Sequence, residues 1–176
     1  MKKTIYLTFF ASIMCVIILF IIFNFVIYPT KHKNYVLEYS KKYNLDRSLI
    51  YAIIKTESNF DKNAVSLSNA KGLMQIIPST AKWIAEELGE NYSEEMLFDV
   101  ETNIKFGCFY LNYLFDKFKN TDVVICAYNA GETAVRNWLD SNGNIVLEKV
   151  SYSETKNYYK KVKSYHKVYK NKQIFI

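Results

Sequence analysis

The sequence predicts a mainly α-helical domain with at most a small β-hairpin, preceded by one membrane-spanning helix. Three observations carry that expectation. Apolar residues recur at three- and four-residue spacing between recognisable helix caps through most of the chain after residue 35. Strand signals are scarce and confined to residues 61–77. Residues 5–28 form an uncharged apolar run interrupted only by Thr8, Ser12 and Asn24. With 176 residues, 50% of them hydrophobic, five Gly and two Pro, the chain holds one ordered domain and an appendage.

At 1.5 Å per residue the run 5–28 makes about 36 Å of helix, enough to cross a bilayer with some tilt. A cleaved signal peptide is the rival reading, because Lys2 and Lys3 form a basic start. Its apolar core would be shorter and would end in a small-x-small site, whereas this run ends in Val26-Ile27-Tyr28-Pro29, so an uncleaved anchor is expected. Residues 1–4 then form a cytoplasmic stub, 29–34 a stalk, 35–165 the domain and 166–176 a basic tail. Lys31, Lys33, Lys41 and Lys42 beyond the anchor weaken the charge argument for orientation.

Within the domain, Asp46 is a good N-cap for a helix to about Ser58, followed by a polar loop to Asn69. Ser79 after Pro78 opens the next helix and Gly89 closes it. Asp99 caps a long helix bearing Ile104, Cys108, Leu111, Leu114, Phe115 and Phe118 on one stripe. Cys108 and Cys126 are read as small buried packing positions rather than a disulfide. Helices over 122–128 and 132–140 are separated at Asn129-Ala130-Gly131. Ser151-x-x-Glu154 has capping-box spacing before a last helix with Tyr158, Val162, Tyr165 and Tyr169 on one face.

Several function classes are excluded at this stage. Two His and three Cys show neither CxxC nor HExxH spacing, so no metal is expected. No GxGxxG or Walker loop is present, so no nucleotide cofactor is expected. The formal charge of +6 sits at the ends: residues 31–149 carry 14 basic against 16 acidic side chains, and residues 150–176 carry seven Lys against Glu154. The body is therefore not basic, which argues against nucleic acid as a partner. The Lys-rich end, 156–172, reads equally as a solvated helix face or as a contact for anionic wall polymers or lipid headgroups.

One carboxylate breaks the helical pattern. Ile50, Ile53 and Ile54 set a core-facing stripe, and the next position of that period is Glu57. Burial penalises the ionised form, so Glu57 should be protonated near neutrality, as a general acid requires. The competing reading is a helix-end Glu that emerges into solvent or pairs with Lys55 or Lys62.

The surrounding motifs bear on that choice. Glu57-Ser58-Asn59-Phe60, Gly72-Leu73-Met74-Gln75, Asp99-x-Glu101-Thr102-Asn103-Ile104, Ala127-Tyr128-Asn129-Ala130-Gly131 and Glu154-Thr155-Lys156-Asn157-Tyr158 occur in this order. Over residues 36–165 the chain resembles the soluble-lytic-transglycosylase-like, goose-lysozyme-related family that cleaves peptidoglycan. The resemblance implies a lysozyme-like α+β domain, with Glu57 as sole acid and base and no cofactor. It implies substrate contacts at Ser66, Gln75, Ile77, Tyr128, Asn129 and Glu154, with Tyr128 beside the scissile bond and Ile77 along the cleft. Asn129 and Gly131 also suit a backbone break.

The chain departs from the family pattern at Asn69, where Gly is usual, at Ile77, where Met is common, and at Cys108 and Cys126, where Ala is usual. The implied reaction gives 1,6-anhydromuramoyl products, and the implied location is the outer side of a bacterial cell membrane. Partners within an envelope or secretion complex are compatible with that place. Two alternatives stay open: a hydrolytic muramidase, with Asp61 or Glu154 as second carboxylate, and a silent glycan-binding or scaffold module.

Overall fold

Asp46 starts the helix that organises the domain. Its carboxylate accepts hydrogen bonds from the Ser48 N–H at 2.8 Å and the Ser48 hydroxyl at 2.6 Å, which satisfies one of the orphan donors at the helix start. The helix that follows, α3, is Arg47–Glu57, and its Leu49, Ile50, Ile53 and Ile54 are buried. The computed structural model describes residues 2–172, and contacts divide it between Lys31 and His32 into two units.

The first unit holds α1, Lys2–Ile21, continued by π-helical turns over Ile22–Ile27. It contains a helix, Lys3–Ile21, long and apolar enough to cross a membrane. Its Thr8 and Ser12 hydroxyls donate to the carbonyls of Ile5 and Phe9 at 2.9 and 2.7 Å. These two hydroxyls are thus satisfied on their own helix, as a bilayer interior would demand.

The second unit contains α2 (Lys33–Lys42), α3, α4 (Pro78–Leu88), a 3₁₀ turn (Glu94–Phe98), α5 (Val100–Phe118), α6 (Thr121–Ala130), α7 (Glu132–Arg136) and α8 (Ser153–Lys172). α3 lies against α8, α6 packs between α5 and α8, and α2 rests on α3 and α5. Where these helices meet, Ile104, Phe106, Leu111 and Leu114 of α5, residues 123–127 of α6 and Val162 and Tyr169 of α8 are buried. Cys108 and Cys126 are buried free thiols, and burial pushes the Cys126 thiol up to about 12. The hairpin region consists of single bridges, Val65 to Lys71 and Lys71 to Ile76, rather than strands.

Several boundaries differ from expectation. α2 begins at Lys33, which shortens the expected stalk over 29–34. The helix after Ile77 takes Pro78, not Ser79, as its first residue, since a missing N–H costs nothing there. α6 is capped by Asn120, which accepts from Asp122 N–H and Val123 N–H, and breaks only at Gly131, whose φ of 84° and ψ of 157° suit a residue without Cβ. α7 ends at Arg136 because Asp140 accepts from the N–H groups of Asn142 and Asn144, folding 140–144 into a turn that competes with helix.

α8 corrects two further expectations. It starts at Ser153, with the Tyr152 carbonyl accepting from Lys156 N–H, so Ser151 lies outside the cap position and Glu154 sits in the first turn without forming the capping box. It also runs through Lys172, so residues 166–172 are part of the fold and not an appended tail. Tyr169 is buried and stacks on Tyr51 with ring centroids 5.4 Å apart, and His166 Nε2 meets Asp46 Oδ2 at 2.8 Å.

Candidate active site

The amphipathic period of α3 places Glu57 in line with Ile50, Ile53 and Ile54 at the helix's last turn. Glu57 as a residue is partly exposed, but its carboxyl is largely buried, and desolvation raises its pKa from 4.5 to about 7. Nearness to the Tyr158 hydroxyl pulls it back down, and the Glu154 charge pushes it further up. The helix terminus adds to the effect, since the C-terminal end of a helix carries partial negative charge. Lys55, a sequence candidate for neutralising it, instead donates from Nζ to Asn59 Oδ1 at 2.5 Å.

Tyr128 of α6 and Tyr158 of α8 are buried beside Glu57, and its field helps burial hold both phenols well above their usual pKa. The Tyr128 hydroxyl donates to the Met74 carbonyl at 2.8 Å, so its remaining capacity is as an acceptor. Among the described residues the Tyr158 hydroxyl has no hydrogen bond of ordinary geometry, although it lies near enough to Glu57 to depress its pKa. This phenol is therefore a group poised to donate to the Glu57 carboxylate once that forms.

The 71–75 loop is bolted opposite this acid. Ser58, directly after Glu57, donates its hydroxyl to the Leu73 carbonyl at 2.8 Å. Asn103, buried on α5, accepts from Met74 N–H at 2.7 Å and donates to the Lys71 and Leu97 carbonyls at 2.9 and 2.8 Å. A buried amide with such complete pairing fixes the loop, because leaving any of these groups unpaired would cost free energy. Gly72 fits there at φ 76°; a Cβ would fall 2.3 Å from both Asn103 Nδ2 and the Leu97 carbonyl oxygen. Gln75 within this loop, and Asn59, Phe60 and Asn69 in the segment that leads to it, hold left-handed backbone conformations.

The remaining sequence candidates divide. Gln75 spends both amide hydrogens on the carbonyls of Ala64 and Gly72, at 3.0 and 2.9 Å, which leaves Oε1 as its group for a ligand. Asn129 Oδ1 accepts from the buried Thr155 hydroxyl at 2.7 Å, which joins the end of α6 to the start of α8 and so carries Glu154 toward Glu57. Ile77 is exposed just before α4. Ser66 lies on the outer loop, where its hydroxyl accepts from Ala70 N–H at 3.1 Å and its backbone bonds to Asn69 and Ala70 of the same loop. Tyr158, Ser58, Asn103 and Thr155 were not singled out from sequence as site residues. Their places inside the family motifs, and for Tyr158 its place on the apolar face of the last helix, are the signals that point to them.

Helices thus present one carboxyl of near-neutral pKa, flanked by two buried phenols and facing a rigid loop. That arrangement defines a helical domain built around one general acid, and comparison narrows it: the transglycosylase SLT domain matches residues 34–150, and the chain belongs to that family. It is 32% identical over 151 residues to a soluble lytic murein transglycosylase of Escherichia coli, covering 81% of this chain and 23% of that protein. It is 33% identical over 147 residues to membrane-bound lytic murein transglycosylase C of Mannheimia succiniciproducens, covering 77% of this chain and 41% of that one. An inactive glutamate-to-glutamine mutant of the Pseudomonas aeruginosa lytic transglycosylase superposes with a TM-score of 0.76 at 32% identity, over 83% of this chain and 25% of that one. The chain spans about a quarter of the length of its soluble relatives. α8 lies beyond the matched residues, yet supplies Tyr158 and Glu154.

Proposed function

We propose that this chain is a membrane-anchored lytic transglycosylase that cleaves the β-1,4 bond between N-acetylmuramic acid and N-acetylglucosamine in peptidoglycan, with Glu57 as acid and base. The observation that carries the reading is the Glu57 carboxyl at a core position, its pKa raised to about 7 by burial. Near neutrality a substantial fraction holds a proton to give and the remainder can accept one, as acid–base exchange at a single group demands.

Protonated Glu57 gives its proton to the glycosidic oxygen as the bond to the muramoyl anomeric carbon breaks, and the N-acetylglucosamine end leaves as an alcohol. The muramoyl N-acetyl carbonyl stabilises the positive anomeric carbon. The sugar's 6-hydroxyl then attacks that carbon, and the Glu57 carboxylate takes the hydroxyl proton, which restores the acid. A 1,6-anhydro ring forms and no water is consumed. Tyr158 steadies the carboxylate between the two proton transfers. Gln75, Ile77, Tyr128, Asn129 and Glu154 form the substrate-contacting walls, with Ser66 at the outer loop. Residues 5–28 hold the chain in the cell membrane, with the domain on the wall side, where peptidoglycan lies. The reading also draws support from the names of the relatives and from the inactive glutamate mutant.

A muramidase is the second reading, and Glu154 is its observation: the one acidic side chain whose charge acts on Glu57. The products separate the two. Muropeptides released from purified peptidoglycan should be lighter by one water than hydrolysed ones and should take no heavy oxygen from labelled water. Labelled reducing ends would establish water as the nucleophile and overturn the transglycosylase reading.

A further inference from the structure

α8 carries most of its lysines on one side. At 100° per residue, Lys156, Lys160, Lys163, Lys167 and Lys170 fall within an arc of about 80°, and the row is about 21 Å long. Lys160, Lys163, Lys167 and Lys170 are exposed, whereas Tyr158, Val162 and Tyr169, from the opposite side of the helix, are buried. Glu154, whose charge reaches Glu57, also lies on that opposite side, so the row faces away from the candidate active site.

Lys163 pairs with Asp122 at 2.7 Å, but Lys160, Lys167 and Lys170 have no ion-pair partner among the described residues. Like charges at three- and four-residue spacing repel one another. The helix persists because its other face is held by Tyr169 on Tyr51 and by His166 on Asp46. A cationic row in which Lys160, Lys167 and Lys170 are without an ion-pair partner among the described residues, kept straight by packing on the far side, is complementary to an extended anionic surface.

We propose that this row seats the domain on anionic phospholipid headgroups. The occupant follows from the chain itself: Lys3–Ile21 is apolar and long enough to span a bilayer, and only about ten residues separate it from α2. A tether that short keeps headgroups at high effective concentration, so individually weak lysine contacts suffice. A polymer free in solution receives no such help. The proposal rests on the membrane-span reading of residues 3–21 and is independent of the chemistry assigned to Glu57.

The test uses the full chain in nanodiscs of phosphatidylcholine alone or mixed with phosphatidylglycerol, with amine acylation mapped by mass spectrometry. Lys82, exposed on α4, is the internal reference. Acylation of Lys160, Lys167 and Lys170 should fall about fivefold relative to Lys82 in the anionic discs, the factor that one basic residue contributes at such a surface, and should recover at high salt. Equal acylation in both lipids would overturn the proposal and leave a solvated helix face. Protection by polyphosphate in neutral discs, without protection by phosphatidylglycerol, would overturn it in favour of a linear polyanion. Incorporation is scored separately by co-elution, and a chain that enters neither disc overturns the span and the tether with it.

Discussion

The two ends of α3 carry carboxylates with opposite fates. Asp46, at the start, accepts from Ser48 twice and meets His166, and these partners hold its carboxyl well below the usual carboxylate range despite partial burial. Glu57, eleven positions on, loses water without gaining a cation, stands beside Glu154, and is raised to about 7. Helix polarity favours charge at the first site and disfavours it at the second. The chemical group is the same; what differs is whether burial is compensated. A compensated carboxylate holds structure together, and an uncompensated one becomes a proton donor.

The largest effect expected from breaking this contrast is on turnover. Glu57→Gln preserves shape and removes the transferable proton, so glycan release from purified sacculi should fall by about 10²- to 10⁴-fold while circular dichroism stays unchanged. A mutant keeping a tenth of wild-type activity would remove Glu57 from its role.

The same substitution should stabilise the fold at neutral pH. A carboxyl whose folded pKa exceeds its unfolded value binds more protons when folded, so native stability declines as pH rises from about 4.5 through about 7. Allowing for its partial exposure to solvent, ionisation of Glu57 costs about 1–3 kcal/mol. Urea unfolding at pH 5 and pH 8 should show that loss in the wild type and little of it in Glu57→Gln. Parallel pH profiles for the two proteins would contradict the raised pKa.

At the other end the sign reverses. Asp46 contributes stability above its unfolded pKa, and that contribution is lost as pH falls through the depressed folded value. Asp46→Ala removes the cap and the His166 contact, so unfolding free energy at pH 7 should drop by about 1–2 kcal/mol with the pH profile of cleavage unshifted. A moved profile would show that the two ends of α3 are coupled.

The smallest effect sharpens the comparison. Glu154→Gln deletes the nearby like charge, so the Glu57 pKa should fall and the alkaline limb of activity should move to lower pH. That shift should amount to less than about one pH unit, because Glu154 is exposed and its interaction is screened. Loss of all cleavage would instead assign Glu154 a direct part in the chemistry.

Much of this was legible along the chain. The caps at Asp46 and Asp99 and the stripe that ends in Glu57 follow from spacing within one or two helical turns, the uncharged run 5–28 follows from composition, and α3 and α5 formed where that spacing put them. Local signals misled where two local options competed: the Asp140 turn shortened α7, and the Tyr152 carbonyl displaced the Ser151 cap. What periodicity determined was that a carboxylate would lie on the core side of α3. Periodicity did not decide that Lys55 would reach Asn59, four positions on, and not Glu57. Packing brought Tyr158 beside Glu57, set Asn103 under Met74, and stacked Tyr169, already on the apolar face of the last helix, against Tyr51. Such pairings join residues dozens of positions apart. Their formation depends on how whole helices dock, and no local spacing encodes that.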